Sequence, residues 1–302
     1  MPAAAQRHGP ARADLAMLLV VLIWGGNLPV IKAALSEIPP LGFAGLRFTL
    51  ASLTFVLLLR VREGSIRPPA GTGWAMLALG LLGNTGYQLL FMTGLDHTTV
   101  ANTALILASN PVLVVVFGAA SGIERLSAAA AAGVALAVAG VALVLGQEGA
   151  RLTARTLSGD LPVLGAAACW AVYTLGVRRY APTMTPLRLT TLTMLTGTPG
   201  LVIAGLPDII HTPWAAVSPA AWAGVAYSTF LALLVAYTLW NTSVAEVGPS
   251  RTAVYNCLIP VVALALAWLT LGERPALLQL TGAALIVGGV LVARNGPGRE
   301  PA

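Results

Sequence analysis

Runs of about 20 uninterrupted apolar residues fill this chain, the length a helix needs to cross the hydrocarbon of a bilayer, and they come in two matching sets. Thr103-Ala104, Pro111-Val112, Glu124-Arg125, Gly133 and Gly140-Val141 reappear as Thr252-Ala253, Pro260-Val261, Glu273-Arg274, Gly282 and Gly289-Val290, each displaced by 149 positions. Trp24 near the start of the first set has its counterpart in Trp170. A membrane-soluble half that occurs twice is the pattern of many carriers, whose substrate site lies where the halves meet.

Lipid is the solvent this pattern demands. Charged residues make up 9% of the 302, against about 25% in soluble domains, so charge is kept out of most of the chain. In hydrocarbon every backbone polar group must be satisfied within the structure, which selects helices. Barrel strands alternate polar and apolar residues over about 10 positions, and these runs do not alternate. The formal charge of +6 does not point to nucleic acid. The basic residues punctuate the ends of apolar runs, as membrane topology requires, and do not cluster on one polar element. Cys169 and Cys257 both lie inside apolar runs and read as buried thiols, which excludes a disulfide framework. His8, His97 and His211 stand apart from one another, so neither a metal site nor a cofactor is expected. There is no HExxH, no GxSxG and no pair of intramembrane aspartates, so the chain is read as no enzyme.

Ten runs are predicted, at 15–35, 41–60, 73–94, 99–119, 127–146, 160–180, 187–206, 219–240, 250–271 and 276–294. The first carries Trp24-Gly25-Gly26-Asn27 and is too long for a signal-peptide core, so it is read as an uncleaved span. The segmentation gives an N-terminal tail 1–12, a first five-helix repeat 13–147, an external linker 148–158, a second repeat 159–294 and a C-terminal tail 295–302. With ten spans both termini share one side. Of the 17 Lys and Arg, twelve fall on that side, four (Lys32, Arg151, Arg155, Arg274) on the other, and Arg47 lies within a span. The excess puts both termini in the cytoplasm. Five spans per half is an odd number, so the second half starts on the opposite face and the repeats are inverted. The fold expected is all-α and integral to the membrane.

The first span, Val21-Leu-Ile-Trp24-Gly25-Gly26-Asn27-Leu28-Pro29, resembles the opening of the drug/metabolite transporter superfamily, as does Leu46-Arg47-Phe48 in the second. Pro111 and Pro260 in spans four and nine, with the Glu124-Arg125 and Glu273-Arg274 turns after them, resemble its EamA-type repeat. The resemblance covers about residues 14–294. It implies export or exchange of small metabolites across a bacterial inner membrane, with amino-acid exporters among the family's members. Span six reads Cys169-Trp170-Ala171-Val172-Tyr173 without the Gly-Gly-Asn of span one, so the halves are not chemically equivalent.

Polar side chains within spans usually face the bundle interior, and helical spacing groups them. The candidate substrate-binding residues are Trp24 and Asn27 in span one, and Trp170 and Tyr173 in span six, which repeat that spacing. Span three adds the stripe Asn84, Tyr87 and Gln88. Asn102 comes from span four, Tyr227 and Tyr237 from span eight, and Tyr255 and Asn256 from span nine. The plainer reading is that some of these only join helices, at about 0.6 kcal/mol per hydrogen bond on average. Pro111 and Pro260 remove the bonds to the carbonyls of Leu107 and Asn256. They are candidates for kinks that shape packing, for hinges of a gate, or for exposing a carbonyl to substrate. Arg47 costs about 2.5–3.5 kcal/mol if held at the bilayer centre. It is expected to snorkel to the outer surface, to make a structural hydrogen bond, or to contact a substrate anion.

None of the 11 acidic residues falls mid-span, whereas proton-driven carriers usually bury an Asp, Glu or His. Transport down the substrate's own gradient is expected. Amide, hydroxyl and aromatic walls suit amino acids, aromatic or other large neutral ones included. The alternative is an exporter of other metabolites or drugs, or a nucleotide-sugar carrier. The partners expected are the lipid bilayer and a small-molecule substrate.

Overall fold

The computed structural model describes residues 10–98, 103, 106–123, 127–146, 154–262, 265 and 276–295. All its described elements are helical. Helix α1 (Pro10–Ala34) and α2 (Pro40–Glu63) lead to α3 (Gly73–Gly80), which runs through a π-helical stretch, Leu81–Gly86, into α4 (Tyr87–His97). Next come α5 (Asn110–Ala120), α6 (Ala128–Gly146), α7 (Ala154–Tyr180) and α8 (Pro186–Ala204). The short α9 (Leu206–His211) precedes α10 (Pro219–Ala226), the π-helical stretch Tyr227–Val235 and α11 (Ala236–Val247). Then α12 (Pro249–Ala253) enters a 3-10 turn, Val254–Leu258, and α13 spans Leu277–Asn295. Prolines open α2, α8, α10 and α12, where the missing N–H has no intrahelical partner to lose.

Among the described residues, five stretches are long and apolar enough to cross a membrane: Ala13–Ala34, Pro40–Glu63, Gly73–His97, Leu157–Thr183 and Pro219–Val247. Ile106–Ala120, Ala128–Leu143 and Leu280–Ala293 are shorter apolar helices. Helix α8, the seventh expected run, is absent from both groups; Arg188, two prolines, two glycines and five threonines together lower its hydropathy. Four of its threonine hydroxyls bond back to carbonyls one turn earlier, as Thr190 to Pro186 and Thr193 to Leu189, which hides their polarity. Large apolar side chains such as Leu53, Leu57, Ile203 and Phe230 face outward, the reverse of a soluble surface and a fit to hydrocarbon.

The helices pack in antiparallel pairs. In α6 against α13, Gly133 touches Gly289 and Ala293, while Gly140 touches Gly282 and Ile286. The contact is reciprocal, because Gly282 and Gly289 are Gly133 and Gly140 displaced by 149. A side chain at Gly133, Gly140 or Gly289 would meet the opposite backbone within 3.0 Å, so the small residues set how closely the two helices approach. In α2 against α8, Ser52 bonds Thr198 and Thr191 bonds the Phe55 carbonyl. Helix α1 lies along the second π stretch, and the first π stretch lies along α7, where Gly83 meets the Tyr173 ring. Displaced by the same 149 positions, Leu81–Gly86 falls on 230–235, inside the second π stretch. Both halves therefore widen the same helix at the same depth, a feature frequent at functional sites.

Side chains tie the two ends of the bundle. At one end the Glu37 carboxylate accepts the Ser218 backbone N–H and hydroxyl, each at 2.7 Å. There also the Asp208 carboxylate accepts the N–H groups of Leu41 and Gly42 at 3.1 Å, and Lys32 Nζ donates to the Leu95 carbonyl at 2.7 Å. Two carboxylates thus cap the starts of α10 and α2, where helix dipoles favour negative charge. The Ser218 N–H, and secondly its hydroxyl, hold the Glu37 carboxyl below the usual glutamate range. At the other end Arg188 pairs with Glu63 at 3.0 Å, Arg178 donates to the Ala245 carbonyl at 2.7 Å and Tyr255 donates to Asp14 at 2.6 Å.

Candidate functional site

Aromatic rings collect at mid-bundle because α1, α4, α7 and α11 each turn one toward the same point. The Trp24 and Trp170 rings meet edge to face at 5.7 Å, and Tyr237 packs edge-on against both, at 6.1 and 5.0 Å. Trp240 lies tilted against the same two indoles at 5.2 and 5.6 Å. Tyr87 stacks on Phe91 at 5.6 Å and leans on Trp170 at 5.3 Å. Such pairs contribute about 0.5–1.5 kcal/mol each beyond the area they bury, so the cluster is stiff as well as apolar. Trp24 is fixed by its indole N–H, which donates to the Ala232 carbonyl at 3.0 Å. That acceptor lies in the π stretch, where the i→i+5 pattern reroutes backbone bonds.

This cluster walls a cavity at mid-bundle. Trp24, Asn27, Tyr87 and Gln88 line it, with Trp170, Tyr237 and Asn256 on further helices. Asn27 accepts the Ser228 hydroxyl at 2.6 Å. Arg47 lines the cavity too and is only 2% exposed. It does not snorkel: its Nη2 donates to Gln88 Oε1 at 2.6 Å, and Phe43 and Phe48 lie 5.3 and 5.5 Å from its guanidinium.

Other candidates sit beside the cavity. Asn84 donates to the Thr193 carbonyl at 2.9 Å and joins the π stretch to α8. Tyr173 stacks on Trp170 at 5.2 Å and turns its hydroxyl to Thr193 and Asn241. Tyr227 donates to the Ile23 carbonyl at 3.0 Å, and Tyr255 bonds Asp14 at one end. Asn102 and the Glu124-Arg125 and Glu273-Arg274 turns lie outside the described residues. Pro111 and Pro260 do not interrupt continuous helices. Pro111 occupies the first turn of α5 after a break at Ser109, and Pro260 follows the 3-10 turn. The Asn256 carbonyl is not left bare by Pro260, because the Ile259 N–H reaches it across the tighter turn.

The lining also includes Asn110, Leu107, Ala108, Ala232, Leu233 and Ile259. Among these, only Asn110 carried a side-chain polarity that the sequence displays. The aliphatic residues look like any others in apolar runs, and Trp240, packed behind the indoles, lies one turn past Tyr237 on the same face.

Apolar spans around a central cavity define a multi-pass membrane protein of a transporter fold. The EamA-like transporter family model matches residues 11–146 and again 157–294, and the chain belongs to that family. It is 31% identical over 292 residues, 96% of each chain, to a "Probable terminal-alkyne amino-acid exporter" of Streptantibioticus cattleyicolor. It is 29% identical over 284 residues to a "Probable amino-acid metabolite efflux pump" of Escherichia coli, covering 91% of this chain and 92% of that one. An uncharacterized transporter of Bacillus subtilis, YyaM, is 30% identical over 273 residues, 89% of each. A solved crystal structure shares the fold at a TM-score of 0.77, with 23% identity, over 94% of this chain and 96% of that one. The chain is a membrane transporter of metabolites, consistent with the bacterial inner membrane.

Proposed function

We propose that this chain exports or exchanges amino acids, aromatic and other large neutral ones among them, by alternating access to the aromatic cavity. The observation that carries this reading is the wall itself. Two tryptophans and two tyrosines, contributed by helices of both halves, converge on one space beside amides. Rings supply dispersion to an apolar side chain, and the amides supply hydrogen bonds to a polar head. Two relatives bear names that mention amino acids. A nucleotide sugar is disfavoured because Arg47 is the one basic residue among the described lining residues, and polyphosphates ask for several cations.

Alternating access rests on the reading of the chain as ten spans in two inverted five-helix repeats, 13–147 and 159–294, with both termini cytoplasmic. The reciprocal contact of α6 with α13 supports it, since a two-fold axis in the membrane plane relates helices in that way. The matched π stretches and the matched breaks before Pro111 and Pro260 give each half the same places to bend. Such symmetry lets the halves exchange conformations, so that each side of the membrane reaches the cavity in turn.

Purified protein in liposomes is expected to show saturable counterflow with some of the twenty amino acids, and the flux is expected to persist when no pH gradient is imposed. Trp24→Ala, Asn27→Ala, Gln88→Ala and Trp170→Ala are expected to shift the substrate profile. Four unchanged profiles would remove the site from this cavity, and loss of all flux on collapsing the gradient would contradict uncoupled transport.

A further inference from the structure

Four polar groups in the cavity wall have unmet bonding capacity, the Tyr237 hydroxyl among them, and the chemistry of the other three is complementary to one kind of solute. The first is the Arg47 guanidinium. Its Nη2 is used by Gln88, but Nε finds no acceptor, and no carboxylate among the described residues lies within 4.0 Å ion-pair distance. The rings of Phe43 and Phe48 soften the charge without neutralising it. The second is Asn110, only 1% exposed. Its Nδ2 donates to the Ala167 carbonyl at 3.0 Å, which fixes the amide orientation and leaves Oδ1, an acceptor, without a donor. The third is the Asn256 Oδ1, also buried and without a donor. Buried polar groups are nearly always satisfied, so unmatched ones on a cavity wall mark where a solute's polar groups belong.

We propose that Arg47 binds the carboxylate of the cargo and that Asn110, with Asn256, accepts hydrogen bonds from its ammonium group. This rests on the amino-acid reading above and narrows it: the site selects solutes that carry both charged groups. The head of the amino acid is held by these residues while its side chain lies on the rings of Trp24, Trp170 and Tyr237. No carboxylate is needed in the wall, since amide oxygens accept from an ammonium without adding a charge that has to be neutralised when the cavity is unloaded.

The test compares phenylalanine, or whichever of the twenty amino acids gives the strongest counterflow, with its amino alcohol, which lacks the carboxylate, and its deamino acid, which lacks the ammonium. Each analogue is expected to compete in proteoliposomes at least about tenfold less well than the parent, the range a lost charge-assisted bond supports. In Arg47→Gln the preference for the parent over the alcohol is expected to collapse, with partial retention in Arg47→Lys. In Asn110→Ala the preference over the deamino acid is expected to fall. If the variants fail to fold, the analogue series in the unmodified protein decides alone. An alcohol that competes as well as the parent, or an Arg47→Gln protein with its preference intact, overturns the role of Arg47 while saturable counterflow leaves the exporter reading standing. A deamino acid equal to the parent overturns the role of Asn110. Counterflow with none of the twenty amino acids overturns the amino-acid reading and this proposal together.

Discussion

Asn241 shows how the wall of the cavity is held from behind. Its amide donates to the Tyr173 hydroxyl at 2.9 Å and to the Thr190 hydroxyl at 2.7 Å, all within the buried interior. Asn241→Leu removes both donors and leaves two oxygens to find other partners. The expected cost is about 1–2 kcal/mol, read as a lower thermal midpoint in detergent, with Tyr173→Phe close to neutral in the Asn241→Leu background if the two act as a unit. Part of this was legible in the sequence. Helical spacing placed Trp24 with Asn27 and Trp170 with Tyr173, and the structure brings the two indoles together. It did not separate Tyr237, whose ring lines the cavity, from Tyr173, Tyr227 and Tyr255, whose hydroxyls bond elsewhere. A helix face fixes the direction of a side chain, but its partner belongs to another helix that the periodicity does not specify. Arg47 illustrates the same gap. Its position allowed snorkelling, and only the placement of Gln88, 41 residues on, turned it inward.

Helices in this molecule are positioned by close approach, by π-helical stretches and by their ends. Gly140→Leu forces a side chain into the backbone of Gly282 and into Ile286. Overpacking of that kind costs about 1–3 kcal/mol, and Gly289→Leu is expected to match it because Gly289 is Gly140 displaced by 149 and meets the Gly133 carbonyl and Ala137 on α6 in the same way. A pair of midpoints that differ widely would argue against the reciprocal contact. The carboxylate tie at Glu37 has a pH signature. Its carboxyl titrates below the ordinary value when folded, so its contribution is complete above the unfolded pKa and lost as pH falls through the folded one. Comparing melts of the unmodified protein and Glu37→Gln should show a gap at neutral pH that closes under acid conditions. At this scale the sequence was readable in its repeats, prolines and glycines, since these have local causes. The π stretches were not: Tyr227–Val235 has the composition of an ordinary apolar helix, and the Gly83, Asn84, Thr85 and Gly86 run has no residue pattern shared with it that marks a π-helix.

For the molecule as a whole, the charge distribution and the duplication carry the inference from sequence to inverted halves. A fluorescent protein fused to the C-terminus is expected to fluoresce, as cytoplasmic fusions do, and a dark fusion would reverse the orientation or change the number of spans. The cavity position could not be read in this way, because it depends on which faces of separate helices meet. Its access from both sides is open to direct measurement. With Cys169 and Cys257 replaced by Ser, a single cysteine at Leu28, a cavity-lining position, can be exposed to a membrane-impermeant thiol reagent in intact cells and in inverted vesicles. Alternating access predicts labelling in both preparations, slowed in each by saturating substrate. Labelling from one side only, under every substrate condition, would contradict it.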